Sequence, residues 1–208
     1  MTHETDKIKS NKIKNNKIKN KTKIVFVTGN KGKFIEIKEI LEPFGFEVLQ
    51  EKTDFPEIQA DELEPIAKAS AKSAADFFKI PVIVDDSGLF IEALNGFPGP
   101  YSRFVEDKLG NQKVLKLMKG ETNRNAYFKT VIAYCEPNKE PEAYSGIVKG
   151  KIAHEERGNE GFGYDPIFEY EGKTFGELGN DVKNKISHRR RAIDEFLLKK
   201  SGVREPDF

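Results

Sequence analysis

The chain has 208 residues, 37% hydrophobic and 33% charged, which marks a globular protein with one sizeable core and a heavily charged surface. No apolar run approaches the roughly 20 residues of a membrane span, and no apolar stretch of signal-peptide type follows the basic N-terminus, so a cytoplasmic protein with no membrane partner is expected. The single cysteine, Cys135, excludes an internal disulfide, and the net charge of +1 hides an asymmetry: residues 1–23 carry eight lysines against Glu4 and Asp6, leaving −5 on the remainder. An acidic body that handles an anion needs its cations concentrated locally, or a metal ion.

In chain order, residues 1–22 hold near-repeats of Lys-Ile-Lys with asparagine. Such dense like charge cannot bury enough surface to order itself, so a disordered tail is expected. The alternative is a tether to nucleic acid or a membrane surface through lysine charge. Lys23–Val27 reads as a buried strand, and Phe34, Ile37, Ile40, Leu41 and Phe44 follow at helical spacing until Pro43-Phe44-Gly45. Phe46–Leu49 predicts a short strand and 50–62 an acidic loop. Leu63–Phe78 predicts a helix with a small-residue face. Pro81–Val84 predicts a buried strand ending on Asp85-Asp86-Ser87-Gly88. Lys113–Lys119 reads as helix, and Ala126–Tyr134 and Glu142–Ala153 as strands paired across Pro137-Asn138-Lys139. Cys135 falls in the first of that pair and reads as a core residue. A Gly-rich loop at 157–166 and a helix at Ile186–Lys199 complete an α/β fold with a mixed sheet flanked by helices.

Five segments carry candidate chemistry. Thr28-Gly29-Asn30-Lys31-Gly32-Lys33 joins strand to helix. Its glycines admit an anion close to the backbone, the helix start offers free N–H groups, and Lys33 can reach a phosphate oxygen. It is not a Walker A loop, because the glycine spacing differs and Phe34 stands where Ser or Thr would bind magnesium; taken alone it is equally an ordinary turn. Asp85-Asp86 places two carboxylates facing opposite ways at the expected strand end, one able to hold magnesium. Glu57, in Phe55-Pro56-Glu57-Ile58-Gln59, is a lone carboxylate in an acidic loop. Gly161-Phe162-Gly163-Tyr164-Asp165-Pro166 offers an aromatic to stack on a purine. Ser187-His188-Arg189 starts the last helix behind Lys183. Ser187 is a good N-cap, whereas cationic charge on His188 or Arg189 opposes the dipole unless an anion or carbonyl oxygen relieves it.

Together, and in this order, these motifs resemble the inosine triphosphate pyrophosphatase family over roughly residues 23–199. Glu36, one turn beyond Lys33, and Gly96-Phe97-Pro98-Gly99-Pro100-Tyr101 belong to the matching set. The resemblance implies a two-lobed α/β structure with an extended mixed sheet, a homodimer, and one catalytic domain over 23–200 between the tail and residues 201–208. It implies Mg²⁺-dependent hydrolysis of inosine, deoxyinosine and xanthosine triphosphates to monophosphate and pyrophosphate. Carried over by position, Thr28–Lys33 would hold the triphosphate, and Glu57 and Asp86 the metal. Asp86 would accept a proton, with Asp85 and Lys33 assisting. Ser87 would touch substrate, and Phe162, Gly163, Tyr164, Asp165, Lys183, His188 and Arg189 would line the base and sugar site. Donors from Arg189 or loop N–H groups would read the purine 6-oxygen. One departure stands out: many members carry a lysine where this chain has Ser70, and the sequence leaves open whether the flanking Lys68 or Lys72 replaces it. The competing readings are a nucleic-acid-binding module built on the tail, and a pyrophosphatase for modified pyrimidine or methylated nucleotides.

Overall fold

The computed structural model describes residues 21–53 and 55–201. The expected tail at 1–22 therefore lies almost wholly outside the described residues, as do all but the first residue of 201–208. Among the described residues no helix is long and apolar enough to cross a membrane.

One mixed sheet organises the chain, in the order β2-β1-β3-β5-β6-β7-β8. Its first part is parallel: β1 (Thr22–Val27) lies between β2 (Phe46–Glu51) and the start of β3 (Val82–Ile91). Beyond β3 every pairing is antiparallel, through β5 (Asn125–Cys135), β6 (Glu142–Ile152), β7 (Phe168–Tyr170) and β8 (Lys173–Thr174). The two-residue β4 (Pro98–Gly99) pairs with the far end of β3.

Alternation along β1 and β3 decides which helix covers which face. Ile24, Phe26 and Ile83 point to one side, where α1 (Lys31–Leu41) and the last helix, α6 (His188–Ser201), bury Ile37, Ile40, Ile193 and Phe196. Val25, Val27, Val82 and Val84 point to the other, against the alanine face of α2 (Leu63–Phe78), whose Ala67, Ala71, Ala74 and Ala75 allow close approach. Cys135 packs there as a buried core residue. A third core forms on the outer halves of β3, β5 and β6 around Leu89, Phe128 and Phe168, under α3 (Ser102–Leu117) and the short α4 (Phe175–Leu178). The strands β3, β5 and β6 thus run through two lobes, and the mid-point of β3 is their junction.

Three elements differ from the sequence reading. The strand expected to end on Asp85 continues to Ile91, because β5 pairs with it without interruption from Val82↔Cys135 to Ile91↔Ala126. The helix expected from Lys113 begins at Ser102 and kinks at Gly110, whose φ of 67° breaks the apolar period between its two halves. The last helix is preceded by a separate α5 (Asn180–Ile186), with Ser187 extended between the two.

Candidate active site

The end of the parallel pairing at Val27↔Val84 opens a gap between the α1 start and β3, and a cavity of about 820 Å³ fills it. The residues that the resemblance assigns to phosphate, metal, base and sugar all line this cavity, Glu57 and Lys183 included, whereas Ser187 and Glu36 lie behind it. A volume of this size suits a nucleotide-sized ligand.

At the α1 start, Thr28 and Asn30 shape the turn. Asn30 N donates to Thr28 Oγ1 at 3.1 Å, and Asn30 Oδ1 accepts from Lys33 N at 3.0 Å, so Asn30 is the N-cap. Among the described residues nothing takes the N–H groups of Lys31 and Gly32, which stay available to an anion. Gly32 is required for a reason of packing: a Cβ there would meet the Phe162 ring at 2.7 Å.

On β3 the two aspartates face opposite ways. Asp85 shares the Ile83 face and meets α1 and α6: Lys33 Nζ lies 2.5 Å from its Oδ1, and Arg189 Nε donates to Oδ2 at 2.6 Å. Burial pushes its carboxyl up, but Arg189 and then Lys33 outweigh that and hold it well below the usual carboxylate range. Asp86 shares the Val84 face, toward Glu57 and Ser70. Its Oδ2 is buried with no hydrogen-bond partner among the described residues. Burial pushes its carboxyl up to about 7, with Lys33 the largest opposing influence.

Beneath Asp85 runs a buried polar chain. Arg189, 1% exposed, also pairs through Nη1 with Glu36, and its Nη2 approaches Ser87 Oγ at 3.3 Å. Glu36 accepts from Ser187 Oγ at 2.7 Å, and Ser187 Oγ caps α6 by accepting from Arg190 N. Ser87 Oγ donates to Asp85 at 2.7 Å and lies 2.7 Å from Thr130 Oγ1. The charge of Arg189 at a helix start is therefore relieved by two carboxylates of the protein. The expected partner, a ligand oxygen, is not needed for this.

The base-side loop divides similarly. Phe162 is half-buried at the cavity, with Lys183 Nζ 4.3 Å from its ring centre. Tyr164 is core instead: it is 4% exposed and its hydroxyl donates to Ser102 O. Asp165 accepts from Phe162 N at 2.7 Å and from Lys183 Nζ at 2.6 Å, in an ion pair that is fully buried. His188 stacks on Phe128 at 4.6 Å. Burial, then Arg189 and Lys183, depress its pKa well below 6.5, so it is neutral, and its Nδ1 has no partner among the described residues.

The two lysines that flank Ser70 are turned away. Lys68 pairs with Glu64 one turn back, and Lys72 pairs with Asp76 and donates to Lys139 O. Neither replaces the missing lysine.

A family model described as the Ham1 family matches residues 24–199. The chain belongs to the Ham1 family. It is similar to a dITP/XTP pyrophosphatase of Methanosarcina acetivorans, 71% identical over 84% of this chain and 95% of the relative. A second such protein, of Methanosarcina mazei, is 69% identical over the same shares. Among solved structures, a HAM1 protein from Coxiella burnetii aligns with a TM-score of 0.78 and 32% identity, over 88% of this chain and all of that one. The Staphylococcus aureus Ham1 protein aligns at 0.76 and 34% identity, over 87% and 99%. The mixed sheet flanked by helices is thus the Ham1 architecture.

Among the cavity residues of this Ham1 member to which the sequence assigned no role are Ser102, Arg103 and Glu106. They lie on the first half of α3, ahead of the stretch from Lys113 that the sequence marks as helical. Glu36 was visible only as part of the motif. A carboxylate one turn past Lys33, beside Ile37 and Ile40 on the buried face of a helix, is the signal that it pairs inside.

Proposed function

We propose that the chain hydrolyses non-standard purine nucleoside triphosphates (ITP, dITP and XTP) to the monophosphate and pyrophosphate, clearing them from the nucleotide pool. The observation that carries this is the buried, unpartnered Asp86 Oδ2, which shares a nucleotide-sized cavity with Glu57 and the free N–H groups of the α1 start. The names of the Methanosarcina relatives agree with it.

An orphaned buried carboxylate oxygen fits a hard divalent cation, so Asp86 and Glu57 are the residues that would hold Mg²⁺. When bound, the ion would offset phosphate charge and acidify a water. Asp86 accepts the proton of the attacking water, and Asp85, locked between Lys33 and Arg189, keeps the Lys33 ammonium in place. The water oxygen bonds to the α-phosphorus as the α–β bridging bond breaks. Pyrophosphate leaves with its charge met by Lys33 and the Lys31 and Gly32 amides. Phe162 is the stacking surface for the purine, and His188 lines the cavity beside it. With Arg189 held by Asp85 and Glu36, reading of the purine 6-oxygen falls to backbone N–H groups of the 161–165 loop other than those of Phe162 and Asp165, which the loop itself takes.

The protein is further expected to act in the cytoplasm, where Cys135 stays reduced, and as a homodimer. The exposed aromatics Phe97, Tyr101 and Phe104 offer an apolar surface for such a contact. Pyrophosphate release from ITP, dITP, XTP, GTP and ATP, with and without Mg²⁺, tests the reading. Fast release from the first three with Mg²⁺, and an ATP rate lower by about 10⁴-fold, is expected of a site that hydrogen-bonds the 6-oxygen. Equal rates on ATP, or none on ITP, contradict it.

A further inference from the structure

The end of α2 reaches the segment that carries Glu57. The alanine face of α2 stops at Ala75, and Phe77 and Phe78 follow in its last turn. Phe77 is 65% exposed, yet its ring has two partners. It meets Phe78 at 5.0 Å and 86°, and Phe55 at 5.8 Å and 74°, while Phe55 meets Phe78 at 6.0 Å and 81°. All three contacts are edge-to-face, the arrangement that aromatic quadrupoles favour. Phe55 and Phe78 also pack against the core on the α2 side of the sheet, and Phe77 closes the cluster from the solvent side. Phe55 stands two residues before Glu57, and both line the cavity. Residues 55–60 belong to no helix or strand, and within 55–59 only Phe55 is sheltered from solvent. Among the described residues no backbone hydrogen bond ties 55–61 to the sheet or the helices. The place of Glu57 therefore depends on where the Phe55 ring is seated. A carboxylate that ligates a cation gains from such a seat, because ordering a loose segment on binding weakens the affinity.

We propose that Phe77 is a positioning residue for the divalent cation: by clamping the Phe55 ring against Phe78 it holds Glu57 where it shares the ion with Asp86. The proposal rests on the reading of Glu57 and Asp86 as the metal carboxylates. The test titrates Mg²⁺ in two ways, by thermal unfolding of the nucleotide-free protein and by pyrophosphate release from ITP, in the wild type, Phe77→Ala, Phe77→Tyr and Glu57→Gln. Phe77→Ala should raise the Mg²⁺ concentration for half-maximal effect about three- to tenfold in both titrations, the size of one aromatic pair, and leave kcat at saturating Mg²⁺ unchanged. Phe77→Tyr keeps the ring and should restore the wild-type Mg²⁺ dependence. In the Glu57→Gln background Phe77→Ala should shift the Mg²⁺ dependence no further, since the clamp acts through Glu57. An unchanged Mg²⁺ dependence in Phe77→Ala, a fall in kcat that excess Mg²⁺ does not repair, or an equal shift in both backgrounds overturns the proposal. A wild type that Mg²⁺ neither stabilises nor activates means that the parent reading has failed, a result distinct from a wild type that responds and a Phe77→Ala variant that responds identically.

Discussion

Adjacent residues on an extended strand point to opposite faces, and here that geometry gives two identical carboxyls different chemistry. Asp85 is fixed as an anion by Lys33 and Arg189, whereas Asp86 has a free buried oxygen and a carboxyl raised to about 7. Asp86→Asn should lower turnover at least about 100-fold, the lower end expected for loss of acid–base catalysis. Steady-state assays at saturating ITP check this, and near-normal turnover would remove Asp86 from the chemistry. The same variant should lose the thermal stabilisation that Mg²⁺ gives the wild type, since its amide cannot replace the anionic ligand. Ser70 bears on this site because it lines the cavity on the α2 side, where Lys68 and Lys72 are engaged elsewhere. Ser70→Lys should restore a cation to the cavity and lower KM for ITP severalfold; an unchanged KM would show that the serine removes nothing the substrate needs. The sequence made Asp85, Asp86 and Lys33 visible as candidates, but the partners that distinguish them lie 52 to 104 positions away along the chain. No spacing rule reaches that far.

At the scale of elements, α6 and α1 are joined through Arg189 and Glu36 rather than through apolar packing alone. Arg189 is 1% exposed and pairs with two carboxylates, so removing it strands both. Arg189→Ala should cost about 3–5 kcal/mol, the range for breaking a buried ion pair from one side. Urea unfolding measures this, and a cost below about 1 kcal/mol would show that the chain of charges does little for the fold. For the same reason, that variant cannot serve as a clean probe of base selectivity. Elements with a regular apolar period were legible in the sequence: β1, α1, α2, and the β5–β6 hairpin within a residue at either end. Two that depend on distant partners were not. The Asp85–Gly88 segment looks like a strand terminus because it is polar and small, yet β5 pairing carries it onward to Ile91. The first half of α3 is covered with charge and separated by Gly110 from the half that shows a helical period.

Across the whole molecule, the long strands β3, β5 and β6 serve both lobes, so the site at their junction draws on all three cores while its own charges oppose folding. Asp86 shows the cost. Its carboxyl titrates at about 7 in the fold against an ordinary 3.8, so between those values the fold keeps a proton that the unfolded chain has released. The stability this contributes is complete below 3.8 and lost as pH rises through 7. In metal-free buffer the stability of Asp86→Asn relative to wild type should therefore grow from about pH 4 to pH 7, by about 1.4 kcal/mol per pH unit, and level off above. A pH-independent difference would mean that Asp86 is solvated or paired in solution. The central claim, that this cavity breaks the α–β phosphoanhydride by water attack on the α-phosphorus, is tested most directly by hydrolysing ITP in heavy-oxygen water and separating the products. The account predicts label in the monophosphate and none in the pyrophosphate. Label in the pyrophosphate, or inosine diphosphate and inorganic phosphate as products, would contradict it.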